Sequence, residues 1–324
     1  MSFAAAPLPA RVAKNSEFAR DVETGFTARQ KWSPARWLYD ELGSALFEAI
    51  TALPEYGLTR ADARIIARAA EEISDAAAHP RTVLELGSGS GSKTRALLES
   101  VARRSFVEYI PIDISQAALN SCKFMLNGIA HIHIRPIEAT YLEGLERGIR
   151  DCRPDEPALI LFLGSTIGNF ARSEASSFLA EVRRRVRSGD SLLLGADLAK
   201  PPEVLIPAYD DPLGVTAAFN LNLLGRINRE LDGEFELSRF QHEAVWNPHA
   251  SRIEMHLRSR VAQRVAVGEL QREIRFRAGE TIWTESSHKF RPEQIRRMGE
   301  RAGWRFKRQW MDEEWPFAET LFTA

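Results

Sequence analysis

The sequence predicts an α/β protein built on a doubly wound parallel sheet. Two segments carry this prediction, VLELGSGSGSKT at 83–94 and IPIDIS at 110–115. The first joins an apolar strand to a helix through a glycine-rich turn, and the second is a strand that ends in Asp113. Glycines let backbone N–H groups approach a ligand closely, and an acidic residue about 20 positions later suits a ribose diol. The sequence therefore predicts a nucleoside cofactor on this sheet.

Strand and helix patterns alternate around these two segments, as expected for a parallel sheet with right-handed crossovers. A long helix ends before Pro80, and Thr59 with Asp62 suggests a capping box at its start. The predicted strands are Thr82–Leu86, Val107–Asp113, Ile132–Ile137, Ala158–Leu163 and Ser191–Asp197, and the predicted helices are Lys93–Arg103, Gln116–Asn127 and Ser173–Val186. Ligands bind at the carboxyl ends of such strands.

The pattern changes beyond Lys200. It predicts the helix Val215–Leu231, the strands Arg252–Ala262, Gln271–Arg277 and Glu280–Ser286, and then the helix Pro292–Ala302 with the strands Trp304–Trp310 and Phe317–Phe322. We expect residues 61–199 plus 287–324 to form the cofactor-binding domain. Residues 1–60 plus 200–286 are expected to form a second α+β lobe that binds the substrate.

Composition narrows the class of protein. The 324 residues include 44% hydrophobic and 27% charged residues, as in ordinary globular enzymes. The net charge of −1 argues against a nucleic-acid partner, since dedicated nucleic-acid binders are basic. The sequence contains two cysteines and shows neither a signal-peptide pattern nor an apolar run of membrane length. We therefore expect a cytoplasmic protein without a membrane contact, and we also expect it to be a monomer.

The glycine-rich turn allows more than one interpretation. Dinucleotide-binding folds carry G-x-G-x-x-G, whereas here Glu85 precedes Gly87, Gly89 and Gly91 at alternating positions. This spacing resembles the first motif of class I S-adenosylmethionine methyltransferases. A strand–helix turn that binds nothing is the remaining interpretation, and the acidic residue at position 113 argues against it.

Three further segments carry polar residues suited to a small substrate. Asn169 lies in LFLGSTIGNF at 161–170, and Tyr209 lies in AYDDPLGVTAAFN at 208–220. Glu285 and Ser287, in WTESSHKF at 283–290, share one face of an extended segment. Each segment also has a purely structural explanation that fits about as well. Asn169 suits a helix cap or turn, Tyr209 a half-buried tyrosine, and the segment of Glu285 and Ser287 an exposed strand face. The histidines lie without partners at ligand spacing, so no metal site is expected.

Together these segments resemble the histidine Nα-methyltransferases of ergothioneine biosynthesis, a class I S-adenosylmethionine-dependent family. The resemblance runs from about Trp37 to Phe290. It is carried by WLYDELG at 37–43, LPEYGLTR at 53–60, residues 84–95, FLGSTIGN at 162–169, AYDDPLGVTAAFN, RIEMHLR at 252–258 and TESSHKFRPE at 284–293. The resemblance implies a Rossmann-like methyltransferase domain with a substrate-binding lobe.

The resemblance also implies roles for individual residues. The implied substrate contacts are Glu285 and Ser287 at the imidazole, Asn169 and Tyr209 at the carboxylate, Met255 as an apolar wall, and the catalytic residue Tyr39 near the amine. The implied cofactor contacts are Tyr56, Gly87, Lys93, Asp113, Thr140 and Tyr141. Two positions depart from the family, because Thr140 stands where an acidic residue is usual and Gly57 replaces a second aromatic after Tyr56.

The implied activity is S-adenosylmethionine-dependent Nα-methylation of free L-histidine, up to the trimethylated betaine hercynine. One alternative is an N-methyltransferase of another aromatic amino acid such as tryptophan, although an indole pocket has little use for the carboxylate of Glu285. A second alternative is a non-catalytic module that binds S-adenosylmethionine and an amino acid. A protein or nucleic-acid methyltransferase fits the neutral charge less well.

Overall fold

The structure is a computed structural model that describes residues 16–153 and 156–324. Its helices are α1 (Glu17–Thr27), α2 (Glu41–Thr51), α3 (Gly57–Ala76), α4 (Arg95–Ala102), α5 (Gln116–Met125), α6 (Tyr141–Arg150), α7 (Arg172–Arg185), α8 (Pro202–Leu205), α9 (Val215–Leu231) and α10 (Pro292–Arg301). Its strands are β1 (Lys31–Trp32), β2 (Thr82–Leu86), β3 (Val107–Asp113), β4 (Ile132–Ile134), β5 (Ile137–Glu138), β6 (Ala158–Phe162), β7 (Ser191–Asp197), β8 (Phe240–Asn247), β9 (Arg252–Ser259), β10 (Gln263–Val267), β11 (Arg272–Phe276), β12 (Thr281–His288), β13 (Arg305–Asp312) and β14 (Phe317–Thr323).

The chain divides into two compact units. Of the described residues, the larger unit comprises those within 51–205, 247–252 and 286–324, and the smaller comprises those within 16–50, 206–246 and 253–285. Residues 1–15, which we assigned to the substrate lobe, lie outside the described residues. The assignment of cofactor and substrate to separate domains stays a prediction.

The larger unit holds the doubly wound sheet that the sequence predicts. Seven strands follow the order β13-β14-β7-β6-β2-β3-β4, and β5 pairs with β3. Strands β2, β3, β4, β6 and β7 are parallel to their neighbours in this set, whereas β14 runs antiparallel to both β7 and β13. The chain winds outward from β2 through β3, then returns to β6. Such a reversal of strand order marks the place where ligands bind in open α/β sheets.

Apolar residues fill the two central strands of this sheet. Every residue of β2 and β6 is buried, which is typical of parallel strands covered by helices on both faces. Leu84, Ile110, Ile160 and Leu192 are each 0% exposed and belong to one core cluster. The central strands therefore give the residues at their ends a fixed position.

Helix α6 was absent from the prediction. Gly144 and Gly148 weaken its helical pattern, because glycine is a poor helix former. In the structure both glycines allow the helix to lie close to the sheet: an added Cβ would come within 2.2 Å of Ile112 at position 144 and 2.5 Å of Leu84 at position 148. A capping box between Thr140 and Glu143 starts the helix.

Three other predicted boundaries were wrong. The long helix α3 begins at Gly57, with Tyr56 preceding it, so Thr59 caps nothing, and Asp62 is buried instead. Helix α4 begins only at Arg95, after a short 3-10 turn at Ser92–Thr94. The strand predicted at Ile132–Ile137 is two short strands, β4 and β5.

The smaller unit contains helices α1 and α9 and most of a four-stranded sheet in the order β1-β12-β9-β8, together with the antiparallel pair β10-β11. The strand predicted at Arg252–Ala262 ends earlier in the structure, because β9 ends at Ser259 and β10 begins only at Gln263. Strand β12 extends two residues beyond the predicted end, and the boundary between the units falls within it, after Glu285.

We predict that Gly148→Ala destabilises the larger unit. The added Cβ would overlap the Leu84 side chain, and overpacking of this kind costs about 1–3 kcal/mol. Urea unfolding would measure the loss. Glu146→Ala, on the exposed side of the same helix, is the matched control and should change the free energy by less than about 0.5 kcal/mol. Equal effects of the two changes would contradict the close packing.

Candidate active site

The glycine-rich turn follows β2 directly. Gly87, Gly89 and Gly91 have φ angles of +76°, +53° and +68°, a left-handed conformation that favours glycine. The Gly87 N–H donates to Ile112 O at 2.8 Å, and the Gly89 N–H donates to Asp113 Oδ2 at 3.1 Å. The turn is therefore tied to the end of the neighbouring strand β3.

Asp113 ends β3 beside this turn. Its Oδ1 accepts a hydrogen bond from the Ser115 N–H at 2.9 Å, so backbone groups on both sides orient the carboxylate. Burial raises its pKa, and the Ser115 and Gly89 N–H groups partly oppose that rise. The carboxylate is thus preorganised to accept hydrogen bonds from a ligand.

Tyr141 lies next to the turn. A Cβ added to Gly87 would lie 3.2 Å from the Tyr141 ring, and that ring packs edge-on against Phe162 at 5.5 Å and Phe178 at 6.0 Å. Burial raises the pKa of its phenol, which stays protonated. The Thr140 hydroxyl donates to Glu143 Oε2 at 2.7 Å, so it caps helix α6.

Lys93 joins two turns of the larger unit. Its Nζ lies 3.1 Å from Asp62 Oδ2, and the same oxygen accepts from the Gly164 N–H at 2.9 Å. Gly164 follows β6, and a Cβ there would lie 2.8 Å from Lys93 Nζ. The Asp62 carboxylate therefore holds the segments after β2 and β6 together.

Two more buried carboxyl groups lie near this pair. Glu85 accepts hydrogen bonds from Thr94 Oγ1 at 2.8 Å and from the Tyr109 hydroxyl at 2.5 Å. Burial raises the pKa of Glu85 to about 7, against the lowering effects of Lys93 and these hydrogen bonds. Burial raises the pKa of Glu319 well above its usual value, and the neighbouring Asp62 carboxyl raises it further.

We call Asp62, Glu85, Lys93 and Glu319 the turn cluster. Of these four residues, only Lys93 was expected to be a site residue. A signal existed, because Glu85 and Glu319 interrupt the otherwise uncharged strands TVLEL and FAETLFT. Charged residues in buried strands are paired or neutral, and they mark candidate sites.

Tyr56 precedes α3 and is buried. An added Cβ on Gly57 would lie 2.2 Å from the ring of Trp315, which therefore packs directly against the backbone. The Trp315 Nε1–H donates to Asp197 Oδ1 at 2.9 Å. An aromatic ring from the β13–β14 connection thus lies against Gly57, the position at which a second aromatic residue is usual in the family.

Asn169 ends the 3-10 turn Thr166–Asn169 after β6. The neighbouring Gly168 carbonyl accepts from His288 Nδ1 at 3.0 Å, and a Cβ on Gly168 would lie 2.9 Å from the His288 carbonyl oxygen. The larger unit therefore brings the segment of Asn169 against the end of β12, which contains the buried Ser287.

The smaller unit brings three predicted substrate residues together. The Tyr39 hydroxyl donates to Glu285 Oε1 at 3.4 Å, and its ring packs edge-on against Phe219 with centroids 5.3 Å apart. Met255 is buried on the neighbouring strand β9, where its carbonyl accepts from Thr284 Oγ1 at 3.0 Å. Glu285 follows Thr284 directly.

Tyr209 is positioned by a buried histidine. His242 Nε2 lies 2.7 Å from Tyr209 O and Nδ1 lies 2.9 Å from Asn220 Nδ2, so Nε2 carries the proton and donates to the carbonyl. Burial lowers the pKa of His242, which favours this neutral form. Across residues 16–153 and 156–324, no group of three or more His, Cys, Asp and Glu side chains is arranged to hold a metal ion.

The family model of histidine-specific, S-adenosylmethionine-dependent methyltransferases matches residues 18–324. The chain belongs to this family. A histidine N-alpha-methyltransferase from Mycolicibacterium smegmatis is 42% identical over 304 residues, which cover 93% of both chains. One from Mycobacterium tuberculosis is 43% identical over 305 residues with the same coverage. Ergothioneine biosynthesis protein 1 of Neurospora crassa is 30% identical over 282 residues, which are 86% of this chain and 31% of that protein.

Membership of this methyltransferase family confirms the predicted fold class and the predicted cofactor. The sheet of the larger unit, with its antiparallel strand β14, is the Rossmann-like class I arrangement. The site fits S-adenosylmethionine, because a Cβ on Gly87 would fill the space beside Tyr141, and Asp113 is fixed at the strand end. Within the described part of the methyltransferase, every helix is too short or too polar for a membrane crossing.

We predict a pH-dependent stability that originates in Glu85. The pKa of Glu85 is about 7 in the folded protein and 4.5 ordinarily. Its protonated form therefore contributes fully to the free energy of unfolding below pH 4.5, and this contribution is lost as the pH rises through 7. The loss should be roughly 3 kcal/mol. Urea unfolding of the wild type and of Glu85→Gln across this range gives the difference directly, since the amide cannot ionise. A constant difference between the two proteins would contradict the raised pKa.

Proposed function

We propose that this methyltransferase transfers methyl groups from S-adenosylmethionine to the α-amine of free L-histidine, up to hercynine, as a step of ergothioneine biosynthesis. The observation that carries the proposal is the pairing of a carboxylate with a hydroxyl at Glu285 and Ser287 of β12. Neutral imidazole has one N–H donor and one acceptor nitrogen, which such a pair can satisfy.

The proposed substrate contacts follow the family pattern. Glu285 accepts from the imidazole N–H and Ser287 binds the other ring nitrogen, since alternate residues of a strand face the same side. Asn169 and Tyr209 bind the carboxylate, and Met255 forms an apolar wall. The anchoring of Tyr209 by His242 and the contact between Tyr39 and Glu285 support these roles.

The proposed cofactor contacts surround the glycine-rich turn. Asp113 accepts from the ribose hydroxyls, and the Tyr141 ring packs on the adenine. The remaining proposed contacts are Tyr56, Gly87, Lys93 and Thr140. The φ angles of the turn glycines and the backbone hydrogen bonds to Asp113 support this arrangement.

Catalysis in this proposal consists mainly of placing an unprotonated amine in line with the methyl carbon. When bound beside Asp113 and Tyr141, S-adenosylmethionine would supply an activated methyl group to the amine lone pair, with the neutral thioether S-adenosylhomocysteine as the leaving group. The histidine amine must lose one proton before each transfer. Because the Tyr39 hydroxyl donates its hydrogen to Glu285, its oxygen can accept an amine N–H and orient the nitrogen lone pair.

We further propose a monomer that acts in the reducing cytoplasm without a nucleic-acid partner. Cys122 and Cys152 are buried free thiols, which suits a reducing compartment. The net charge of −1 supports the absence of nucleic-acid binding.

The activity is tested by incubating the purified protein with S-adenosylmethionine and each free amino acid. We expect mass shifts of one, two and three methyl groups on histidine. Methylation of tryptophan in place of histidine would establish the alternative substrate. Histidine binding without turnover would instead identify a non-catalytic module.

We predict that Glu285→Ala lowers kcat/KM for histidine by about 100-fold, because the imidazole N–H loses its charged acceptor. The dissociation constant of S-adenosylhomocysteine, measured by calorimetry, should stay within about twofold. Glu243→Ala is the matched control, since this carboxylate of β8 pairs with Arg258 on the same sheet. Unchanged histidine kinetics in Glu285→Ala would refute the role of Glu285.

A further inference from the structure

Lys289 directly follows β12 and has a fixed position although no substrate role is assigned to it. Its side chain is 0% exposed, and its Nζ donates to Ser287 Oγ at 2.9 Å and lies 2.7 Å from Asp197 Oδ2. Its backbone N–H donates to Ser251 O at 2.8 Å, and its carbonyl accepts from Arg172 Nη2 at 3.0 Å. Both ends of this residue are therefore held by hydrogen bonds.

Asp197 keeps the Lys289 ammonium in place. This carboxylate ends β7, and its Oδ1 accepts hydrogen bonds from Lys200 Nζ and from Trp315 Nε1. Burial alone would raise its pKa, but the ammonium groups of Lys289 and Lys200 hold the pKa below its ordinary value. Breaking a buried ion pair is costly because it leaves a charge unpaired, so the pair confines the Lys289 side chain.

The contact between Lys289 and Ser287 has a fixed polarity. An ammonium group can only donate, so the Ser287 oxygen must accept in this hydrogen bond. A hydroxyl carries one hydrogen, which therefore turns away from Lys289. Hydrogen bonding to a cation also polarises the O–H group and makes it a better donor.

We propose that Lys289, held by Asp197, is a positioning residue that makes Ser287 a hydrogen-bond donor toward the imidazole of the substrate. The inference rests on the proposed function, since it needs histidine in the site. Glu285 can only accept and Ser287 then donates, so the two residues together bind neutral imidazole in a single tautomer. Imidazolium has two N–H donors and no acceptor, and indole has a donor only, so neither matches both residues.

The test is a double-mutant cycle between Lys289→Met and Ser287→Ala, because a cycle isolates the coupling of two contacting residues. Calorimetry in the presence of S-adenosylhomocysteine measures histidine affinity. We expect Lys289→Met to raise the histidine Kd by about tenfold in the wild-type background and by less than about twofold in Ser287→Ala. The kcat at saturating histidine should change by less than about threefold, since Lys289 does not act on the amine.

Lys200→Met is the matched control. This substitution removes the second ammonium group that contacts Asp197. The Lys200 ammonium donates to Asp197 and to the Leu198 carbonyl, and these hydrogen bonds do not involve Ser287. We expect a lower Tm and a histidine Kd within about twofold of the wild type. Should Lys289→Met fail to fold, Lys289→Arg keeps a cation for Asp197 while its planar group places its donors differently, and its affinity loss must likewise vanish in Ser287→Ala.

The possible outcomes separate the two proposals. Equal losses from Lys289→Met in both backgrounds would overturn the positioning role, because the lysine would then act through general stability. If the losses are additive in this way but the wild-type protein methylates histidine, the proposed function still holds and only the positioning role fails. Wild-type protein that neither binds nor methylates histidine would overturn both proposals.

Discussion

Charge compensation beneath the glycine-rich turn is the constraint on which the larger unit depends. The turn cluster places three fully buried carboxyl groups around Lys93, whose side chain is 20% exposed. Full ionisation would leave an excess of buried negative charge, and burial accordingly raises the pKa of Glu85 and Glu319. Burial and the neighbouring Asp62 raise the pKa of Glu319, while Asp62 Oδ2 lies 3.1 Å from Lys93 Nζ and accepts from the Gly164 N–H. The Asp62 carboxylate thus fixes the positions of the two turns relative to each other.

Charge compensation also organises the network around Asp197, where the buried groups in excess are ammonium groups and not carboxyl groups. Here two ammonium groups share one carboxylate, and Trp315 adds a neutral donor. Both networks lie where the central strands meet the turns that follow them, so the apolar interior of the sheet gives way to fixed charges at this edge. Replacing Asp197 would leave two buried ammonium groups without the carboxylate that they share. This rigidity is what a site needs when its task is orientation.

Local signals predicted the sheet well, and tertiary contacts decided the rest. Continuous apolar runs and glycine turns identified β2, β3 and β7, and the periodicity of α9 gave its bounds correctly. Helix α6 was missed because its glycines make sense only against the sheet, where they let it approach Ile112 and Leu84. Motif spacing picked out Glu285 with Ser287, but it carried no information on Lys289 or His242. Asp197, which holds Lys289, and the two partners of His242 are distant in sequence, and the roles of the site residues stay predictions.

Recognition through a donor and an acceptor gains its selectivity from the groups that a wrong ligand leaves unpaired. An apolar wall, the role proposed for Met255, discriminates weakly between rings of similar size, whereas a buried hydroxyl that must donate excludes every ring without an acceptor. The polarity of the Ser287 hydroxyl therefore matters more for specificity than its position alone. Since the Lys289 ammonium sets that polarity, the proposed site binds the ring in its neutral form. The amine must also be neutral to attack, so in this proposal histidine binds with a neutral ring and reacts through a neutral amine.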